Sequence, residues 1–329
     1  MEGVILSEDR RAAAEVSVTV ICICSAQHLT RCLEALRVQK DAPNFDIIVA
    51  YDPHIPGIDA VAKAFPEARM VANEGQRSPL ELAARAVKES TGELVLLTED
   101  HCVPAPNWVR TMLDAQRDGR AVVGGRVETY PDASATDWAF YFVDFFRYCA
   151  PVKEGPSPTL TVCNVAYRRD QLEEVRDLWE VFFLETVIND ALRERFGELW
   201  LEPASEVIMG RHATLADAVY ERYAFGRLFS CMRIKFISPA RRIYYAIFAP
   251  TLPLILFGRM ARVAMRSNRI AVPFLRSLGP LILMILWWSW GEWLGYLTGK
   301  LPPSLVVAPE IREALRRGEQ SSSTPEAGA

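Results

Sequence analysis

The 329-residue sequence predicts an α/β protein: a mostly parallel sheet with helices on both faces, followed by membrane-associated helices. Two observations carry this. In the first hundred residues, short β-branched apolar runs alternate with segments of helical period, the pattern of a parallel sheet covered on both faces. After Arg242 the chain turns strongly apolar, with stretches at residues 243–257 and 278–297; the second is about as long as a helix must be to cross the ~30 Å core of a bilayer.

The elements follow in order. Residues 16–24 (VSVTVICIC) read as a buried strand, and Leu29, Cys32, Leu33 and Leu36 then repeat at helical spacing. FDIIVA at 45–50 is a second strand, Ile58, Val61, Ala62 and Phe65 mark a second helix, and residues 69–72 form a short third strand. Ser78-Pro79-Leu80-Glu81 is a capping box with proline at the first helical position, and Gly92 lies just past that helix. ELVLLT at 93–98 is the fourth strand, and residues 121–127 continue the apolar pattern. An aromatic run (residues 137–148) and a Pro/Gly/Ser loop (151–158) come next. Helices are expected at 169–178 and 186–196, a strand near 206–209 and a helix over 215–228.

The net charge of −4 and a pI near 5.8 argue against a nucleic-acid partner. Seven cysteines occur without a CxxC pair, and Cys22 and Cys24 read as small hydrophobes on a strand. Residues 1–15 have no apolar signal-peptide core, which points to a catalytic part facing the cytosol. The tryptophans at 287, 288, 290 and 293, with Tyr296, resemble an interfacial belt, and the expected location is the cytoplasmic (inner) membrane. Arginines flank the 243–257 stretch on both sides: with both flanks in the cytosol it is re-entrant or interfacial and 278–297 is the one span, and with the flanks on opposite sides the chain spans twice. Gly291, Gly295 and Gly299, four apart, suggest close helix approach and a homo-oligomer through this helix. The polar tail from Gln320 reads as disordered.

Ligands of open α/β sheets bind beyond the carboxyl ends of the strands. That singles out Cys24 and Ser25 after the first strand, Asp52 after the second, and Glu99-Asp100-His101 after the fourth. Glu99 and His101, two apart, face the same way on an extended chain, so an oxygen and a nitrogen ligand can hold Mn²⁺ or Mg²⁺ against phosphate. The same alternation turns Asp100 away from them.

From residue 16 to about 230 the chain resembles glycosyltransferase family 2, whose catalytic domain has the GT-A fold. VSVTVICICSAQHLTRCLEALRVQ looks like its first strand and helix, and FDIIVAYDP its second strand and acidic uridine-contacting turn. GELVLLTEDHCVPAPNW is similar to its DxD metal segment, LTVCNVAYRRDQL to its acceptor side, and ETVINDALRERFG to its catalytic-base helix. The resemblance implies a GT-A-like domain over 16–235, between an N-terminal extension (1–15) and a helical region (236–300) with a tail (301–329). It implies transfer of a sugar, with inversion, from a nucleotide-diphosphate donor of uridine type to a glycan or lipid-linked acceptor. The implied roles are Glu185 as base and Glu99, His101 and His212 around the metal. Cys24, Ser25, Asp52, Asp100 and Arg222 would contact the nucleotide diphosphate. Three departures stand out: Tyr51-Asp52 where two acids are usual, Glu99-Asp100-His101 for Asp-x-Asp, and Glu185-Thr186 for Glu-Asp. They leave a non-catalytic nucleotide-binding or scaffold protein as the alternative.

Overall fold

A computed structural model describes residues 15–73, 78–117, 119–234 and 237–300. The expectations for residues 1–14 and for the tail from residue 301 concern residues outside these.

Five strands and four helices build the first part of the chain. They are β1 (Val16–Cys22), α1 (Ala26–Arg37), β2 (Phe45–Tyr51), α2 (Ile58–Ala64), β3 (Ala68–Ala72), α3 (Pro79–Glu89), β4 (Leu94–Glu99), β5 (Cys102–Pro104) and α4 (Trp108–Arg117). Those up to β4 follow the predicted order, and β5 and α4 are additions to it. The expected capping box at Ser78 is formed, with Glu81 closing back on the cap. β6 (Val122–Thr129), α5 (Ala135–Phe145), β7 (Gly155–Pro156) and β8 (Val165–Arg168) follow. Where one helix was expected over 169–178, the chain forms α6 (Arg169–Glu173) and α7 (Arg176–Trp179). Then come α8 (Glu185–Phe196), β9 (Leu199–Met209) and α9 (Leu215–Ile234). β9 begins well before the expected 206–209, because its alternating burial extends back to Leu199.

The described strands form one nine-stranded sheet in the order β3-β2-β1-β4-β8-β6-β9-β5, with β7 alongside β9. The first four are parallel, as the alternating pattern predicts: Val18 faces Ile47 on β2 and Leu96 on β4. From β4 onward the pairs of β4 with β8, of β8 with β6, and of β9 with β5 and β7 are antiparallel. β1 is buried along its whole length, Ser17 and Thr19 included: the Ser17 hydroxyl accepts from Gly92 N–H and the Thr19 hydroxyl donates to Leu96 O.

Among the described residues, contacts divide the chain into two units, one of residues 15–128 and 152–210, the other of residues 129–151 and 211–300. In contact terms α5 and α9 therefore group with the C-terminal helices, whereas the compositional boundary lies at residue 235.

The second unit contains α5, α9, α10 (Pro239–Phe248), α11 (Leu252–Ala264), α12 (Asn268–Arg276) and α13 (Leu278–Thr298). The aromatic run on α5 is mostly core: Phe140, Tyr141, Phe142 and Phe145 are buried, and Phe142 meets Phe274 of α12 edge-on. The glycine repeat has an intramolecular use. A Cβ on Gly291 would lie 2.0 Å from Tyr223 O, one on Gly295 1.8 Å from Ser230 Oγ, and one on Gly226 2.2 Å from Trp288 O. These glycines let α9 and α13 pack backbone to backbone. Gly299 caps α13 in the left-handed region, φ +65°. The repeat thus accounts for a contact within the chain and is not an argument for self-association.

By length and composition, the run Pro239–Ala264 is the one described helix that could cross a membrane by itself. The stretch expected to span, α13, joins α12 at a 75° bend and buries one side on α9. Ile243, Ile247, Leu254, Leu283, Leu286 and Trp290 are exposed.

Replacing Gly291 by leucine should force α9 and α13 apart and cost about 2–3 kcal/mol or more, since overpacking at a backbone contact cannot be relieved by a rotamer change. Gly258→Leu, on a helix position with no atom within 4 Å of the added Cβ, should be close to neutral. Thermal unfolding of the two variants side by side checks this.

Candidate active site

The carboxyl ends of β1, β2 and β4 meet where the sequence places its polar clusters. β4 ends at Glu99, and Asp100-His101 form a turn leading into β5. Asp100 is fully buried, and its Oδ2 accepts from the backbone N–H of Cys24 (2.8 Å) and of Ser25 (3.1 Å) and from the Cys22 thiol (3.5 Å). One carboxylate therefore ties the end of β4 to the start of α1. Burial opposes its ionisation, but His101 and the Cys24 N–H hold its pKa below the ordinary carboxylate range.

The turn brings Glu99 and His101 together, with Nε2 of the ring 3.3 Å from Glu99 Oε2. It does not turn Asp100 away as strand alternation predicts, because the residue has left the strand: His101 Nδ1 lies 3.6 Å from Asp100 Oδ1. Cys163, just before β8, donates to Glu99 Oε2 at 3.0 Å, and its own carbonyl accepts from Thr98 Oγ1 at 2.9 Å. Burial pushes the Glu99 carboxyl up, offset in part by His101. The His101 imidazole is held well above its ordinary value: burial lowers it, but the neighbouring sulfurs of Cys102 and Cys24 and the Asp100 carboxylate outweigh that. The adjoining Cys163 side chain, and His101 after it, draw the Cys102 thiol down to about 5.

Ser25 is the N-cap of α1, its Oγ accepting from His28 N–H. His28 Nε2 lies 3.1 Å from Gly210 O, which can only accept, so Nε2 carries the proton and Nδ1 accepts from Ser25 Oγ–H at 2.7 Å. Gly210 N–H in turn donates to His101 O at 2.7 Å, so the end of β9 is held at the same place. Asp52, buried at the end of β2, accepts from both the backbone N–H and Nδ1 of His54, at 2.9 and 2.8 Å.

Glu185 begins α8 and is half-buried. Phe183 N–H bonds to Leu80 O in the first turn of α3, which starts at the carboxyl edge of the parallel strands. One turn into α8, Asn189 Oδ1 accepts from Tyr167 Oη, and Tyr167 pairs with Val95 near the opposite end of β4. α8 therefore runs away from the carboxyl edge, with Glu185 at the end nearest to it.

The other two expected residues belong to the second unit. His212 is exposed and faces Tyr130 Oη (2.6 Å) and Asp137 Oδ2 (3.4 Å). Arg222 is 3 % exposed; it pairs with Asp144 and Glu221 and lies over the Phe140 ring. Its charge is already matched locally, so the structure does not offer it as the guanidinium for a diphosphate. Glu221 also holds Arg211 through two bonds of 2.7 and 2.5 Å. The same unit has a cavity of about 560 Å³ lined by Tyr130, Trp138, Arg269 and Arg276 among others.

Residues 17–176 match the family model for glycosyl transferase family 2. That segment is a family 2 glycosyltransferase domain. The match spans β1 to α7 and so includes the Glu99 turn and Cys163, while Glu185 lies beyond it. Among solved structures, the chain is similar to the mannosyltransferase PcManGT from Pyrobaculum calidifontis in complex with GDP-Man and Mn²⁺, at 14 % identity and TM-score 0.49, over 94 % of this chain and 76 % of that one. It is also similar to residues 1–349 of S. aureus TarS, at 14 % identity and TM-score 0.49, over 92 % of each chain. No curated protein sequence matches it.

Sequence reasoning did not single out Cys163, Asn164, His28 or His54. Asn164 is fully buried; it accepts from the Trp108 indole N–H (2.8 Å) and donates to Arg126 O (2.8 Å) and Ser205 O (3.1 Å). The only signal for it was a polar residue inside an apolar run. Asn164→Leu should cost about 1–3 kcal/mol, because the Trp108 N–H is left buried without an acceptor. Adding Trp108→Phe should recover part of that loss, which a double-mutant cycle in chemical denaturation measures.

Proposed function

We propose that the chain transfers a sugar, with inversion, from a uridine-type nucleotide-diphosphate donor to the hydroxyl of a glycan or lipid-linked acceptor. The observation that carries this is the Glu99–His101 pair at the carboxyl edge of the parallel strands, inside a family 2 glycosyltransferase segment. Asp52, steadied by His54, is the proposed base contact, and the Cys24–Ser25 turn, clamped by Asp100, borders the diphosphate.

The donor set suits a divalent ion: a carboxylate and an imidazole converge, and the buried Asp100 Oδ1 lies beside the ring with no hydrogen-bond partner of its own. Glu99 and His101 would hold Mn²⁺ or Mg²⁺, which when bound offsets the charge that builds on the departing diphosphate. Glu185 takes the acceptor proton as the hydroxyl attacks the anomeric carbon from the face opposite the leaving group. Its position in the first turn of α8 favours the anion, which makes it a somewhat weaker base but holds the group in place.

The exposed apolar residues of α10, α11 and α13 support association with the cytoplasmic membrane, with the sheet on the cytosolic side. The aromatic and arginine-lined cavity of the second unit supports a glycan or lipid-linked acceptor. The burial of Glu99 and His101, 8 % and 4 % exposed, favours a second reading in which the domain binds nucleotide without turnover. Release of nucleoside diphosphate from a panel of nucleotide sugars, with membranes as acceptor, separates the two.

Glu185→Gln should fold and bind donor as the wild type does while transfer falls roughly 10²–10⁴-fold. A helix-capping role would instead cost on the order of 1 kcal/mol of stability and leave turnover near normal. Calorimetry should also find nucleoside diphosphate binding much tighter with Mn²⁺ or Mg²⁺ than with chelator, a difference that His101→Ala largely removes. Equal affinity in the wild type with and without metal would overturn the ligand assignment.

A further inference from the structure

Glu99 and His101 are not alone at the end of β4. A ring nitrogen of His101, Cys102 Sγ and Cys163 Sγ all lie within 4.8 Å of one another. Glu99 Oε2 joins them, 3.0 Å from Cys163 Sγ and 3.3 Å from His101 Nε2. Ligand atoms around a tetrahedral ion, with bonds of about 2.0–2.3 Å, stand roughly 3.3–3.8 Å apart. The two contacts to Glu99 are close to that spacing already. All four residues are over nine-tenths buried: Glu99 8 %, His101 4 %, Cys102 0 % and Cys163 3 % exposed.

Ordinary packing explains some of the cysteines but not these two. Cys32 sits among Leu29, Leu33 and Leu36 on the apolar face of α1. Cys102 and Cys163 instead turn their sulfurs toward each other and toward a carboxylate and an imidazole. Both are anchored by backbone: Cys102 pairs with Met209 of β9, and the Cys163 carbonyl is held by Thr98 Oγ1. The surroundings also match what orients a metal-bound histidine. Asp100 Oδ1, buried and without a hydrogen-bond partner, faces His101 Nδ1 at 3.6 Å. A small rotation of the ring makes Nδ1–H its donor and leaves Nε2, on the Glu99 side, as the ligand atom.

We propose that Glu99, His101, Cys102 and Cys163 form one thiolate-containing site that selects a borderline transition-metal ion of the Zn²⁺ type over Mg²⁺. The choice follows from the donors: one oxygen, one nitrogen and two sulfurs suit Zn²⁺ or Co²⁺, whereas Mg²⁺ requires oxygen ligands in octahedral array. Coordination replaces whatever protons the two thiols and Nε2 carry and releases them to solvent. The inference rests on the metal assignment of the proposed transferase and narrows it, setting Mg²⁺ aside in favour of an ion that accepts sulfur; it does not require turnover.

The test uses the full chain, freed of metal by chelation and titrated with Co²⁺. Saturation at one ion per chain with a sulfur-to-cobalt charge-transfer band in the near ultraviolet is expected. Zn²⁺ should bleach the band at one equivalent, and millimolar Mg²⁺ should not. Cys163→Ser and Cys102→Ser should each weaken the band and loosen Zn²⁺ at least tenfold, while Cys231→Ser should change neither. X-ray absorption at the zinc edge of the loaded wild type should count two sulfur neighbours, a readout that needs no variant to fold. Oxygen and nitrogen neighbours only, a cobalt complex without the sulfur band, or displacement by equimolar Mg²⁺ would each overturn the proposal. Sugar transfer is a separate readout: transfer supported by Mn²⁺ in a chain lacking sulfur ligation overturns this site and leaves the transferase intact. Sulfur ligation without any transfer supports the site and removes the transferase.

Discussion

The Asp100 carboxylate is the contact on which the candidate site depends. Its Oδ2 gathers two backbone N–H groups at the start of α1, so the chain leaving β1 cannot move independently of the turn leaving β4. A buried anion in this place is tolerated because it is met by charge-assisted hydrogen bonds and by His101 beside it. Once that turn is fixed, Glu99 and His101 face each other across 3.3 Å, and β5 leaves the turn to pair with β9. β9 then returns the favour through Gly210, whose N–H holds His101 and whose carbonyl holds His28. Site and sheet are therefore one hydrogen-bonded unit, and a glycosyltransferase needs such rigidity where charge develops on the leaving group.

The second unit solves a different problem with similar means. Arg211, Glu221, Arg222 and Asp144 form a buried chain of ion pairs backed by the Phe140 ring. Burial alone would raise the Glu221 carboxyl, yet the two guanidinium groups hold it below the usual carboxylate range. Removing any one member leaves an uncompensated buried charge, which is far more costly than the pair is stabilising. Beside this network, glycines on α9 and α13 allow backbone contact while the opposite face of α13 stays apolar and exposed.

Local pattern was enough for much of the architecture. The period-2 and period-3.6 segments up to Glu99, the capping box at Ser78 and the breaks between them are set by short-range sterics, propensity and burial, all of which a linear reading sees. The rule that ligands gather at carboxyl ends of parallel strands then puts Ser25, Asp52 and Glu99–His101 on one edge from the sequence. What it misjudged was local geometry at the edge itself: alternation holds only while the chain is extended, and at Asp100 it is already turning.

Everything that requires two distant segments to meet was decided by the tertiary structure. Cys163 reaches Glu99 across sixty-four positions of sequence, Trp108 meets Asn164, and Arg222 meets Asp144, and none of these pairs has a spacing that marks it. The same is true of the glycines in α13, whose spacing announces close helix packing but cannot say against which helix. The sequence by itself determined the parallel α/β half, the family resemblance and the residues at the strand ends, because those follow from near-neighbour physics and motif order. The tertiary structure alone decided the company those residues keep: sulfur beside the carboxylate and imidazole, and a matched ion pair for an arginine that looked available. Side-chain partnership depends on how the sheet and helices stack, and that is a property of the whole packed chain.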